Sequence, residues 1–259
     1  MNVTCEFLGR LGNNLIQIAT MIGYCKRTGQ QWGIPLGYHH RGIYQQFRGL
    51  PLFKRPHRSM PVYDTTHPDN FGYKEIPYYP NGVKLRGFFQ SYLFFDHARE
   101  EVLKAWNFKN MPQYNDFTSV HIRLGDYVQH SESFPPVNMN YIRKAFDLIQ
   151  PKKVLVFSDE ISKCREMFTT FEGIEFEFSP GLKEQPSGGR NEHEQLSAMS
   201  SCKNNIIANS SFSYCAAYAN TNPDKIVVSP HYTEWFGPNA QNLDTSNLLP
   251  PTWTQIKFR

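Results

Sequence analysis

The stretch "SVHIRLGDYV", residues 119–128, decides how this chain is read. Ser119, Val120 and Ile122 belong to a buried β segment, "FTSVHI" at 117–122. His121, Arg123, Asp126 and Tyr127 are crowded into the same stretch, and Gly125 lets the chain turn. Side chains at i and i+2 of a strand share a face, so His121 and Arg123 are expected to point together at the mouth of a strand.

Working outward, short β-rich runs alternate with helical patterns. "MNYIRKAFDLI" (139–149) is a helix with Tyr141, Ala145 and Leu148 on one side. "KVLVF" (153–157) is a strand and "ISKCREMF" a helix. "IEFEF" (174–178) is a strand, followed by the Pro/Gly/Ser-rich loop "SPGLKEQPSGGRN". Then come "EHEQLSAMSSC" as helix, "NNIIA" as strand, "FSYCAAYAN" as helix and "KIVVS" as strand. Strands separated by helices imply βαβ units and a parallel sheet with right-handed crossovers. Upstream, "MNVTCEFL" reads as a strand. "NNLIQIATMIGYCKRTG" reads as a helix with Leu15, Ile18, Ala19 and Ile22 on one face and Gly29 as its stop. "VKLRGFFQS" (83–91) is a strand and "HAREEVLKAW" a helix. Residues 50–82, rich in Pro, Tyr and Phe, predict loops and short turns; Phe88, Phe89, Phe94 and Phe95 predict core. The expected division is two lobes, residues 1–112 and 113–259.

Ligands of open parallel sheets bind beyond the carboxyl ends of the strands. Three of the predicted strands end in polar clusters: Arg123, Gly125, Asp126 and Tyr127; Ser158, Asp159 and Glu160; and Asn209, Ser210, Ser211 and Ser213. Converging on one crevice, they would place an arginine fork where a diphosphate can be met. A fourth candidate is the turn "GRLGNN" (9–14), whose glycines permit close approach and whose following helix presents N–H groups to an anion. Plainer readings stand beside these. "FSDE" and "NSSFS" are ordinary helix caps, H-x-R is a surface pair, and the 9–14 turn lacks a G-x-G-x-x-G fingerprint.

The composition sets bounds. The 259 residues suffice for two small cores. A net charge of +4 without a Lys/Arg block argues against a nucleic-acid partner and suits a small anionic ligand. No run approaches the roughly 20 apolar residues of a membrane span, and no secretory signal is visible, so a cytoplasmic location is expected. Five scattered cysteines without C-x-x-C predict buried thiols in a reducing compartment rather than a metal or redox pair. Sequons at Asn2 and Asn209 matter only in a secretory lumen. D-x-D, H-E-x-x-H and G-x-S-x-G are absent from the sequence. Without D-x-D, arginine and backbone amides are expected to carry the charge of any departing diphosphate.

These stretches together resemble a known family. "HIRLGDY" resembles the H-x-R-x-G-D-Y motif of the α-1,2-fucosyltransferases, glycosyltransferase family 11. "GRLGNNLIQIA", "LRGFFQSYLFF", "FSDE" and "MSSCKNNIIANSSFSYCAAYAN" are similar to its other motifs, in the family's order, over nearly the whole chain. The resemblance implies an α/β, GT-B-like fold of two Rossmann-like lobes with parallel sheets and a cleft between them. It implies an acceptor-side first lobe, a GDP-sugar-binding second lobe, and an inverting glycosyltransferase that uses GDP-fucose without metal or other cofactor. The acceptor implied is a galactose-terminated glycan, fucosylated in α-1,2 linkage. Carried onto this chain, Arg123, Asp126 and His121 are the catalytic candidates. Gly9, Arg10, Gly12, Asn13, Asn14, Arg123, Ser158, Asp159, Asn209, Ser210, Ser211 and Phe212 are the donor-side ones. Glu192 and His193 stand next as bases if Asp126 is not one. The chain departs from the family at Asn14 (usually Gln), Ile16 (Phe), Asn204 (His) and "SYCAAY" (a Trp-rich segment), changes that bear on acceptor choice. Two other classes remain open. One is a catalytically silent sugar- or nucleotide-binding module of the same fold; the other, an NAD-type oxidoreductase, is disfavoured by the missing glycine fingerprint.

Overall fold

The structure is a computed structural model that describes residues 2–35, 50–53, 60–179 and 191–259. The loop expected after Phe178 therefore lies largely outside the described residues at 180–190, as do 54–59 of the Pro/Tyr/Phe-rich segment. The chain divides into two units, residues 1–107 with 242–249 and residues 108–241 with 250–259. The second crossing, which returns 242–249 to the first unit, has no counterpart in a single cut at residue 112. No helix among the described residues is long and apolar enough to cross a membrane.

The first unit starts with β1 (Val3–Glu6) and α1 (Leu11–Thr28). It continues through the short β2 (Ile34–Pro35), β3 (Leu52–Phe53) and β4 (Val62–Asp64) to β5 (Val83–Arg86) and α2 (Arg99–Trp106). β1, β5 and β4 pair in that order, all parallel, and β2 pairs with β3. The apolar face read for α1 is only part of what it buries: its buried residues run from Leu11 to Cys25 around the helix. Gly29, with φ 69°, stops it in the left-handed conformation a glycine adopts at little cost. β5 ends five residues before the expected Ser91. The chain leaves the extended conformation at Gly87 (φ 157°), where a Cβ would collide with Thr65 Oγ1, and at Phe89 (φ 51°). Phe89, Phe94 and Phe95 are buried, as expected of core; Phe88 is half-buried.

The second unit matches the βα alternation closely. β6 (Thr118–Ile122) is followed by α3 (Gly125–Gln129) and α4 (Met139–Ile149), then by β7 (Lys153–Ser158), α5 (Ile161–Met167) and β8 (Glu175–Phe178). α6 (Glu192–Ser201), β9 (Asn204–Ile206), α7 (Ser211–Ala219), β10 (Val227–Pro230) and β11 (Thr254–Ile256) complete it. The six strands lie in the order β11-β10-β9-β6-β7-β8, every pair parallel. Strands 6, 7 and 8 thus run one way from the centre and 9, 10 and 11 the other, which is the doubly wound order of a dinucleotide-type fold. The core joins Val120 and Ile122 of β6, Val154 and Val156 of β7, Ile206 of β9 and Val228 of β10 to Tyr141, Ile142, Ala145 and Phe146 of α4. Leu148, read from the sequence onto the apolar side of α4, is 44% exposed. The stripe that faces the sheet is 141, 142, 145 and 146, the i, i+1, i+4, i+5 set of one helical face. Asn138 caps this helix by accepting from the Tyr141 N–H at 3.0 Å.

Candidate active site

The order of the second sheet puts its reversal point between β6 and β9, the place where open α/β sheets bind their ligands. β7 adjoins β6 on the other side, so the three polar strand ends are neighbours. Their side chains meet. Arg123, just past β6, donates from Nη2 to Asp126 Oδ1 at 2.6 Å, and its Nη1 lies 2.9 Å from Asp159 Oδ2 beyond β7. The second oxygen of Asp159 accepts the Leu124 backbone N–H at 3.0 Å. A Cβ at Gly125 would overlap Asp159 Oδ2, so the glycine makes room for this carboxylate. The Arg123 and Asp159 side chains are 15% and 12% exposed; Asp126 is more open at 38%. Arg123 also stands over the Tyr127 ring, 5.7 Å from its centre, within the range of a cation–π contact.

The β9 end is tied to the same place through Tyr127, whose hydroxyl donates to the Asn209 carbonyl at 3.0 Å. Burial pushes this phenol up to about 12, with Arg123 opposing the shift. Asn209 is almost wholly buried and donates its amide to the carbonyls of Pro135 (3.0 Å) and Trp235 (2.9 Å); its Oδ1 is buried and takes no hydrogen bond. Ser210 is the N-cap of α7, accepting from the Phe212 N–H at 3.4 Å, and Ser158 accepts from the Glu160 N–H at 3.1 Å. The cap reading is met at Ser210, whereas the helix after "FSDE" has Glu160 at its N-cap without a side-chain cap bond, Ser158 bracing the turn before it. Ser211 opens α7.

His121 takes partners of its own. It is 5% exposed, its Nδ1 lies 2.9 Å from Ser213 Oγ, and its ring sits 5.8 Å from that of Phe212. Burial lowers its pKa to about 4, with Asp159 pulling weakly the other way, so the imidazole is neutral at neutral pH. Of the expected H-x-R pair, only Arg123 supplies positive charge.

The 9–14 turn lies in the first unit, between β1 and α1. Gly9 has φ 75°, and a Cβ there would strike the Asn13 side chain. Asn13 Oδ1 accepts from Gln90 at 2.8 Å. Asn14 is buried and donates to the Leu8 carbonyl (3.0 Å) and to Gln17 Oε1 (3.2 Å). Gln17 in turn donates to Leu8 O and, at 2.8 Å, to Gly87 O, and accepts from the Leu8 N–H. These amides hold the turn to α1 and to the end of β5. Arg10 is the N-cap residue of α1, and Gly12 lies in its first turn. Glu192 and His193 open α6; the His193 ring packs edge-on against Phe108.

Residues 63–256 match the description "Glycosyl transferase family 11". The chain belongs to glycosyl transferase family 11. It is thereby a glycosyltransferase. Its relatives include the O-antigen biosynthesis glycosyltransferase WbnK of Escherichia coli, 30% identical over 204 residues, 68% of this chain and 61% of WbnK. The galactoside alpha-(1,2)-fucosyltransferase 2 of Gorilla gorilla gorilla is 25% identical over 281 residues, 98% of this chain and 78% of that one. Among solved structures, the fucosyltransferase NodZ from Bradyrhizobium matches with a TM-score of 0.50 at 15% identity, covering 83% of this chain and 92% of NodZ. That likeness concerns the fold, which is α/β with parallel sheets and GT-B-like.

Within family 11, the departures of this chain fall on buried positions. Ile16 is core of α1. Asn204 is stitched into the sheet, accepting the Ile226 N–H at 2.9 Å and reaching Thr118 Oγ1 at 3.4 Å. In "SYCAAY", Tyr214 stacks on Tyr218 at 6.3 Å and tilts against Trp253 at 5.0 Å. Sequence reasoning missed the Leu124 amide, the carbonyls that hold Asn209, and the part played by Gln17. Gln17 had a signal: it lies one helical turn after Asn14, on the same side of α1.

Proposed function

We propose that this chain is an inverting fucosyltransferase. It transfers fucose from GDP-fucose to a galactose-terminated glycan in α-1,2 linkage, without a metal ion or other cofactor. The observation that carries the reading is the position of Arg123: a guanidinium at the reversal point of the doubly wound sheet, held by carboxylates from the β6 and β7 ends, with the β9 end tied in through Tyr127. In a family 11 chain this is where the second unit would take the diphosphate. When the glycosidic bond to phosphate breaks, charge gathers on the β-phosphate, and a placed guanidinium lowers that barrier. The acceptor hydroxyl attacks from the opposite face and gives up its proton to a base; Asp126 is the carboxylate proposed for it. The first lobe is proposed to choose the acceptor, partly through residues 50–82.

The experiment is transfer from GDP-fucose to a galactose-terminated oligosaccharide in excess EDTA, with the product linkage read by NMR. A new α-1,2 fucosyl linkage with matching GDP release is expected. Activity that returns only with Mn²⁺ or Mg²⁺ would overturn metal independence. Another linkage would overturn the acceptor assignment. GDP bound but never released as product with any acceptor would favour the silent binding module.

A further inference from the structure

His121 is kept neutral by its burial. It brings no charge to the strand ends, so what it does there depends on which ring nitrogen carries its single proton. It stands two residues before Arg123, the spacing at which strand side chains share a face. It also feels the charge of Asp159, the carboxylate that holds Arg123. The two ring nitrogens have different surroundings. Nδ1 lies 2.9 Å from Ser213 Oγ, whereas Nε2 has no hydrogen-bond partner among the described residues.

Ser213 decides where the proton goes. It is 1% exposed on α7 and has one hydrogen to give. Two acceptors compete for it. The Ser210 carbonyl is 3.4 Å away, long for an O–H···O bond, and already accepts the Tyr214 N–H at 3.0 Å. Nδ1 offers the shorter contact. A hydroxyl that donates to Nδ1 leaves that nitrogen bare and puts the proton on Nε2. In the opposite tautomer, Nδ1–H would point at Ser213, and the hydroxyl would keep only the long contact to an occupied carbonyl. Nε2 would then present a lone pair, which repels the oxygen of an anion.

Resting on the donor reading above, we infer that Ser213 is a positioning residue: its hydroxyl holds His121 in the Nε2–H tautomer, and the neutral imidazole gives that N–H to a phosphate oxygen of the donor. Arg123 supplies the charge, and His121 adds a directed hydrogen bond. The ring of Phe212, 5.8 Å from the imidazole, flanks the same group.

The test is ¹⁵N NMR of the histidine-labelled full chain, with calorimetry of GDP and of guanosine binding. The proteins are wild type, Ser213→Ala and Ser213→Thr, each checked for an unchanged fold by its melting curve. His121→Asn assigns the His121 signals among the nine histidines. Before GDP is added, wild type is expected to show His121 with a protonated Nε2 and a bare Nδ1. Ser213→Ala should populate the other tautomer and bind GDP about three- to tenfold more weakly, the range for one hydrogen bond. Guanosine, lacking phosphate, should bind both proteins alike. Ser213→Thr keeps the hydroxyl and should restore tautomer and GDP affinity together. A wild-type His121 protonated at Nδ1 overturns the tautomer assignment. Wild-type GDP affinity in Ser213→Ala, or guanosine weakened as much as GDP, overturns the positioning role. Wild-type protein that takes up no GDP overturns the donor reading itself, a result distinct from the tautomer, which is read without ligand.

Discussion

Two turns of this chain do the same topological job with opposite chemistry. Each follows a parallel strand and leads into a helix: the 9–14 turn between β1 and α1, and the 123–126 turn between β6 and α3. At the first, the polar side chains described are mostly amides spent on the fold itself, with Asn14 and Gln17 holding the Leu8 and Gly87 backbone and Gln90 holding Asn13. At the second, the polar groups are charged and satisfy one another, and one partner is open to water. A buried amide bonded to backbone cannot leave without exposing an unpaired group, whereas an ion pair with a solvent-exposed member contributes little to stability. The first turn is therefore a fixed support, and the second is a charged cluster with one side open to water.

The comparison is broken most directly at Arg123. Arg123→Lys keeps the charge but loses the fork that reaches two anions at once. Transfer should fall by about 10²–10³ in kcat, the loss known for one charge-stabilising donor. GDP affinity should fall with it, while the melting temperature stays near wild type. A lysine variant with ordinary turnover would remove Arg123 from the chemistry.

His121 is expected to give the next largest effect, through pH. Its folded pKa of about 4 lies below the ordinary 6.5, so between those values the unfolded chain binds a proton that the folded chain refuses. Stability should be full above pH 6.5 and should drop as pH falls from about 6.5 toward 4, by on the order of a few kcal/mol. Ser213, Phe212 and Asp159 are the groups that set this environment. Melting curves of wild type and His121→Asn across that range test it. The variant should lose less stability on acidification, and parallel losses would show that other groups dominate.

The fixed support is probed at Gln17. Gln17→Ala removes four hydrogen bonds and leaves the Gly87 carbonyl and the Leu8 N–H to find new partners, the Leu8 carbonyl keeping Asn14. It should destabilise the protein by about 1–3 kcal/mol, read as a lower midpoint in urea. The smallest effect is expected at the surface pair Lys26–Glu101, where Lys26→Ala should leave the urea midpoint nearly unchanged. If Gln17→Ala is no worse than Lys26→Ala, the first turn is not the rigid element its hydrogen bonds indicate.

The sequence by itself determined the βα alternation of the second unit, because the apolar period of a strand or helix is a local property of the chain. The bounds of α4 were legible to the residue, though its buried face was not, and the polar groups that end β6, β7 and β9 were legible too. It also carried the motifs of family 11. It marked the five cysteines as mostly buried thiols, and all five are buried and outside any disulfide. The strand Thr254–Ile256 was not legible: its three residues acquire strand geometry only by pairing with β10. The same holds for the early end of β5, where Gly87 and Phe89 turn the chain against Thr65 and Gln17. Tertiary structure alone decided that β9 lies beside β6, which brings Asn209 to Tyr127 across 82 residues of chain. It alone buried His121 and so removed its charge, and it alone set Asp159 on Arg123. Hydrogen-bond partners, solvent access and charge neighbours depend on distance through space, and a linear pattern holds no record of that distance until the sheet is assembled.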